Sequence, residues 1–345
     1  MAVLTRPHRN IAIFVPHLGC PWQCIYCNQH LISAAQAPAP QEVKQHIAQA
    51  LTTIDPGYDV EIAFFGGNFT TIEMDLQESY LQAAYPFVQS GQVRGVRLST
   101  RPDAIDADIL RRLRGYGVVC IELGVQSLDQ EVLKRAARGY TPAAVERSAA
   151  LIKEWGFELG LQLMIGLPGD TAAKAMATTE AAIRLRPDMV RIYPTLVIED
   201  TELARQYRAG RYRPLELTAA VELCHAMWQR FQLEGIPVIR MGLHSSEELN
   251  HGSVVAGPWH PAFGELVQQF GFHQRARELL NEYCASPQHA DKLTLLVHPR
   301  DLSRLIGYRR ENITRLEREF ALRLSVKGED GRPPGSIAIC ADRSK

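Results

Sequence analysis

From residue 11 to about residue 240, short apolar or β-branched runs alternate with helix-length amphipathic segments, and this alternation leaves few folds open. Neighbouring parallel strands need a crossover of a dozen or more residues, usually a helix, so repeated strand–helix units build a parallel sheet with its helices outside. The expected strands are Ile11–Val15, Val60–Phe65, Val96–Thr100, Val118–Leu123, Leu159–Ile165 and Met189–Tyr193. Six such units predict an α/β fold, a partial (β/α)6 barrel of the TIM type rather than a closed eightfold one. Helix punctuation agrees: Thr141 reads as an N-cap, Pro142 fits the first helical position, and Gly156 ends the segment just past Trp155. Further on, Glu222–Glu234 and Phe272–Tyr283 read as helices. The expected organisation is a barrel core over 1–240, an extension covering the mouth plus a linker over 241–290, and a small α+β module over 291–345.

Barrels of this type carry their chemistry in the loops after the C-terminal strand ends. Directly after the first strand stand Cys20, Cys24 and Cys27, spaced CxxxCxxC with Tyr26 before the last. The chain has seven cysteines, an odd number with three in one loop, so a disulfide framework is not expected and a reducing compartment fits. Three thiolates admit two readings. One is a zinc site completed by His17 or His30. The other is a 4Fe–4S cluster with one iron left open, which the amino and carboxylate groups of S-adenosylmethionine can chelate. Cys120, inside the apolar run Val118–Ile121, reads as a buried structural thiol. The N-terminus has no apolar signal region and no stretch approaches the roughly 18 apolar residues of a membrane span, so a cytoplasmic protein with no membrane partner is expected.

Later strand ends carry further candidates. Gly66 and Gly67 let a ligand approach the backbone, with Asn68 beside them. Gln126 and Ser127 end the fourth strand and offer hydrogen bonds to a ribose, while Arg138 is either a carboxylate partner or a solvated cation. Gln162 lies on the fifth strand, which closes in the turn Gly166-Leu-Pro-Gly-Asp170.

Together the cysteine spacing, the glycine pair, Gly124-Val-Gln-Ser127, Arg138-Gly139 and Gly166-Leu-Pro-Gly169 resemble the radical S-adenosylmethionine enzymes. Ser99–Asp103, Glu122–Ser127 and Pro187–Val197 most resemble the catalytic subunit of Elongator and its bacterial relatives, over roughly residues 10 to 240. The resemblance implies that Cys20, Cys24 and Cys27 hold a 4Fe–4S cluster and that the cofactor S-adenosylmethionine is cleaved reductively to a 5′-deoxyadenosyl radical. It implies Gly66, Gly67 and Asn68 on the methionine side, and Ser99, Gln126, Arg138 and Gln162 as further cofactor contacts. An electron donor such as flavodoxin or ferredoxin follows from the same chemistry. The oxygen-independent coproporphyrinogen oxidase branch has a glutamate where this chain has Ser99 and an aspartate where it has Gln162. The acetyltransferase domain that follows Elongator's radical core finds no room in 345 residues, so acetyl-CoA-dependent carboxymethylation is not expected.

From Asp291 onward there are 12 Lys+Arg against 8 Asp+Glu, so this tail carries +4 in a chain of zero net charge. Its pattern of strand, helix, tight loop and helix, with Ile313, Leu316 and Phe320 at helical spacing, resembles a KH nucleic-acid domain. The loop Gly307-Tyr-Arg-Arg310 keeps the first glycine of a GxxG clamp and puts Arg310 in place of the second. Gly307, Arg309 and Arg310 are the candidate RNA contacts. His244 and His260 are candidate acid/base groups, or a metal site with His251. The expectation is a radical enzyme modifying RNA, transfer RNA first. The rivals are a tetrapyrrole or haem-handling enzyme of the coproporphyrinogen oxidase branch and a non-catalytic RNA-binding protein that keeps the cluster.

Overall fold

The computed structural model describes residues 7–15, 24–28, 37–243, 252–285 and 290–341. Residues 1–216 and 227–259 form one compact unit, and residues 217–226 and 260–345 form another.

In the first unit, β1 (His8–Val15), β2 (Asp59–Gly66), β3 (Gly95–Thr100), β4 (Val118–Gln126), β5 (Glu158–Ile165) and β6 (Met189–Pro194) pair in sequence order. A short β7 (Val197–Ile198) follows, and β8 (Val238–Met241) then joins β6, completing seven strands with every neighbouring pair parallel. β7 pairs antiparallel with β9 (Val254–Ala256). The sheet curls into a partial barrel whose open edges are β1 and β8. The α/β partial barrel is therefore as expected, with a seventh strand that the sequence did not announce. β8 is four residues long and only half-buried, because an edge strand needs no continuous apolar run.

β4 is buried along almost its whole length, as a parallel strand covered on both faces must be. Helix Pro142–Glu154 is capped as its sequence predicts: the Thr141 side chain accepts from Ala144 N and Gly156 exits with φ 78°. It buries Val145, Ala149 and Ile152, one stripe at helical spacing. Helix Ala107–Gly115 is capped by Asp106, which accepts from Ile109 N at 2.8 Å, and buries Leu110 and Leu113.

The second unit has a three-stranded sheet of order β11–β10–β12, from β10 (Lys292–Val297), β11 (Arg323–Gly328) and β12 (Ile337–Ala341). β10 and β11 run parallel and β12 antiparallel. The crossover between the parallel pair is Leu302–Ile306, Gly307 and Glu311–Phe320. Leu305, Ile313 and Leu316 pack with Leu293, Leu295 and Val297 of β10 and with Phe272, Ala276 and Leu280 of helix Phe263–Cys284, and Phe320 borders that core. The helices expected over Glu222–Glu234 and Phe272–Tyr283 are observed as Leu217–Leu233 and Phe263–Cys284. Among the described residues, no helix is long and apolar enough to cross a membrane.

Candidate functional site

The segment 24–28 is held against the C-terminal side of the barrel by two backbone hydrogen bonds and one from the Asn28 side chain. Ile25 N donates to Ala136 O at 3.3 Å, Leu203 N donates to Ile25 O at 2.8 Å, and Asn28 Nδ2 donates to Glu199 O at 2.8 Å. Cys27 N donates to Cys24 O at 3.0 Å, which folds the two cysteines into one turn. Cys20, His17, His30, His244 and His251 lie outside the described residues. Cys24 is buried, and two guanidinium groups face its sulfur: Arg138 Nη1 at 3.2 Å and Arg101 Nη1 at 3.9 Å.

Arg138 is itself enclosed. It donates through Nη1 to Tyr26 Oη at 3.1 Å, through Nε to Tyr140 Oη at 2.9 Å and through Nη2 to Gly124 O at 2.7 Å. Burial pushes the Tyr26 and Tyr140 hydroxyls above their ordinary range, so both stay neutral beside the guanidinium. Arg101 is oriented by Asp103, to which Nε and Nη2 donate at 2.8 and 2.9 Å.

Gly66 ends β2 with φ 104°, and a Cβ there would lie 2.7 Å from Val15 O and 2.8 Å from the Phe14 ring, so this position accepts only glycine. Asn68 is buried; its Oδ1 accepts from Thr100 Oγ1 at 2.5 Å and Arg101 N at 3.2 Å, while its Nδ2 has no partner among the described residues. An orphaned buried donor is unusual and marks a position where something else accepts. Gln126 sits at an irregularity in the β4–β5 register with φ 63°, a strained backbone for a non-glycine residue at a strand end. Ser127 turns away from the barrel: its Oγ is 3.3 Å from Thr178 Oγ1 and accepts from Asp129 N at 3.1 Å.

Within the barrel lies a cavity of about 1060 Å³, lined among others by Asn10, Phe14, Gly66, Ser99, Gln162 and Tyr193. Its wall is a charge network that motif reading missed. Glu122 accepts from Arg191 Nε and Nη2 at 2.7 and 2.9 Å, from Arg97 Nη1 at 3.1 Å and from Gln162 Nε2 at 2.9 Å. Arg97 also donates to Glu61 at 2.7 Å, and Gln162 Nε2 to Ser99 Oγ at 3.0 Å. Burial alone would raise the Glu61 carboxyl, but hydrogen bonds from His8 and Arg97 outweigh it and hold the group at about 2. Glu122 is lowered in the same way, burial being outweighed by Arg191, Gln162 and Arg97. The available signal was a charged residue at alternate positions in otherwise apolar strands, as in Val96-Arg-Leu98 and Val190-Arg-Ile192.

The remaining candidates lie in the second unit. His260 Nδ1 accepts from Ala262 N at 3.1 Å, a turn-forming bond at the approach to helix Phe263–Cys284. Gly307 has φ 77°, and Arg309 and Arg310 follow with φ 49° and 64°, so Arg310 adopts the left-handed backbone a second glycine would take. Its guanidinium folds back, donating to Leu324 O at 2.9 Å and lying 3.5 Å from Glu317. Tyr308 is exposed, with the Arg309 guanidinium 5.1 Å above its ring.

The sequence model described as the radical SAM superfamily matches residues 14–182, and the one described as the radical SAM C-terminal domain matches residues 187–270. A tRNA uridine(34) acetyltransferase of Dehalococcoides mccartyi is 28% identical over 239 residues, 59% of this chain and 52% of that protein. Elongator complex protein 3 of Danio rerio is 26% identical over 266 residues, 65% of this chain and 47% of that protein. The chain thus spans about half the length of these curated relatives. Among solved structures, the archaeal Methanocaldococcus infernus Elp3 with an N-terminal deletion superposes with a TM-score of 0.59 at 21% identity, over 79% of this chain and 64% of that one, which supports the fold.

Proposed function

The chain belongs to the radical S-adenosylmethionine superfamily, and from that premise we propose that it is an enzyme acting on transfer RNA. The superfamily's cofactors are a 4Fe–4S cluster and S-adenosylmethionine, which together supply a 5′-deoxyadenosyl radical. The residues present fit them. Thiols are the ligands such a cluster takes, and two guanidinium groups beside Cys24 suit its negative charge. The unpartnered Asn68 Nδ2 and the Cβ-free backbone at Gly66 suit a polar ligand lying close against β2.

In this reading Cys20, Cys24 and Cys27 hold the cluster. Gly66, Gly67 and Asn68 take the methionine end, Gln126, Ser99 and Gln162 the ribose side, and Arg138 the carboxylate. His260, held in a turn of the second unit, is given no catalytic part.

The observation that carries the substrate class is the charged cavity. At about 1060 Å³ it has room for a nucleoside, and Arg191 and Tyr193 offer polar edges to one. The relatives named for tRNA uridine(34) support the same class, as does the second unit, whose β10–helix–helix–β11 core and glycine-led loop suit a KH-like contact through Gly307 and Arg309, Arg310 being folded back onto Leu324 O and Glu317. The reading puts the protein in the cytoplasm with its RNA and a flavodoxin- or ferredoxin-type donor.

Anaerobic reconstitution followed by a 5′-deoxyadenosine assay tests the proposal. Cleavage of S-adenosylmethionine under reducing conditions, rising when unmodified transfer RNA is added, is the expected result. No cleavage refutes the enzyme reading. Cleavage indifferent to RNA, in a protein that purifies without RNA, refutes the substrate class.

A further inference from the structure

On the C-terminal side of the barrel, apart from the large cavity, lies a concave pocket of about 340 Å³. Its lining comes from segments that follow β4, β5 and β6: Arg135, the turn Gly166–Asp170, and residues 206–215. Three arginines, Arg135, Arg211 and Arg213, line this one small space.

Their partners differ. Arg135 pairs with Glu131 one helical turn earlier at 2.5 Å, and its stem packs where a Cβ on Gly169 would have to go. Arg211 and Arg213 are exposed, and among the described residues no carboxylate pairs with either. The one carboxylate in the lining, Asp170, is engaged by the turn's own backbone, accepting from Gly166 N and Thr171 N, both at 2.9 Å, and it is one carboxylate against three arginines. Positive charge is therefore in excess in a concave, polar site, the arrangement that favours an anion.

The pocket also adjoins the reactive loop. Leu167, in its lining, belongs with Val132 and Ala136 to a buried cluster that Tyr26 of the cysteine segment packs against; Tyr212, between the two unpaired arginines in sequence, belongs to a second buried cluster bordered by Ile25 and Tyr26 and donates to Gly166 O at 2.6 Å. A macromolecule that places one nucleotide in the barrel must leave its neighbouring phosphates on the rim, where arginines hold backbone without reading sequence.

We propose that Arg211 and Arg213, with Arg135, form a binding site for the phosphodiester backbone of the RNA substrate beside the mouth. This rests on the RNA reading above and adds where the strand is gripped. The site is sequence-independent: it fixes the position of the strand while the cavity meets the base.

The test uses the full chain, reconstituted with its cluster, and an unmodified transfer RNA transcript as the probe, with affinity measured across a salt series. Two contacts to a single strand account for a salt slope of about 1.4, so Arg211→Gln with Arg213→Gln lowers the slope by that amount and weakens binding about tenfold near 0.15 M salt. The pair Arg211→Lys with Arg213→Lys keeps the slope near wild type, because lysine serves as a point charge for phosphate. RNA-independent cleavage of S-adenosylmethionine stays unchanged in both pairs, which separates lost grip from lost fold. If the glutamine pair leaves slope and affinity unchanged, or weakens binding without changing the slope, the site is wrong while the RNA reading stands. If the wild type itself binds no RNA, both fall.

Discussion

Glu122 is the carboxylate on which the barrel's inner charges converge, and the cost of removing it follows from its partners. It is 1% exposed and accepts four hydrogen bonds, two from Arg191 and one each from Arg97 and Gln162. In Glu122→Leu, Arg97 keeps its bond to Glu61, so only Arg191 loses every carboxylate partner. Orphaning one partner of a buried pair costs about 3–5 kcal/mol, and a guanidinium that borders a cavity belongs at the lower end, about 3. Removing both partners in Glu122→Leu with Arg191→Met leaves no uncompensated charge and restores about 2 kcal/mol of that loss. The described tryptophans, Trp155, Trp228 and Trp259, belong to the first unit, so tryptophan fluorescence follows that unit through a urea titration. With a slope of about 2 kcal/mol per M, the single variant's midpoint falls by about 1.5 M. A single variant within about 1 kcal/mol of wild type, or a double variant no more stable than the single, would refute the claim that an unpaired Arg191 is what costs stability.

Gly66→Ala adds a Cβ 2.7 Å from Val15 O at φ 104°, whereas Gly91→Ala has a similar sign of φ (72°) with nothing within 4 Å. Both carry backbone strain of about 1–3 kcal/mol, so Gly66→Ala is the less stable of the two and alone weakens S-adenosylmethionine binding, measured by equilibrium dialysis; equal losses would remove the argument from close approach. In the second unit, burial, reinforced by Arg275, pushes His225 down to about 4. The unfolded chain, with histidine near about 6.5, takes up the proton first. The contribution is therefore complete above that value and lost as pH falls toward 4. Hydrogen exchange in β10 should accelerate over this window, and in His225→Phe it should not; a pH response that persists in the variant assigns the effect to another group.

What the sequence made legible is local. The Thr141 cap, the proline after it and the Gly156 exit specify a helix through neighbours three or four residues apart, and the structure has that helix. β4 announces itself because burial on both faces requires a continuous apolar run. β8 was missed because a half-buried edge strand bearing Arg240 satisfies no such requirement. Helix Phe263–Cys284 was read too short because Gly264 and Gly271 count locally as breakers. Gly271 has a tertiary reason to be glycine: the His225 ring, far away in sequence, occupies the place of its Cβ.

Charge makes the same point at the site. Arg97, Glu122 and Arg191 were each visible as a polar residue in an apolar strand, but their meaning is the network they form across 25 to 69 residues of chain. By sequence Arg310 is a candidate RNA contact standing where a GxxG clamp has its second glycine. The backbone there is left-handed with φ 64°, as glycine would be, and the guanidinium is spent on Leu324 O and Glu317. Only Arg309, stacked on the exposed Tyr308, remains turned outward in that loop, while Arg211 and Arg213, which no motif singled out, have no carboxylate among the described residues. A cation's availability to phosphate is decided by its partners in space. RNA affinity should therefore fall further when Arg211 and Arg213 are lost than when Arg310 is.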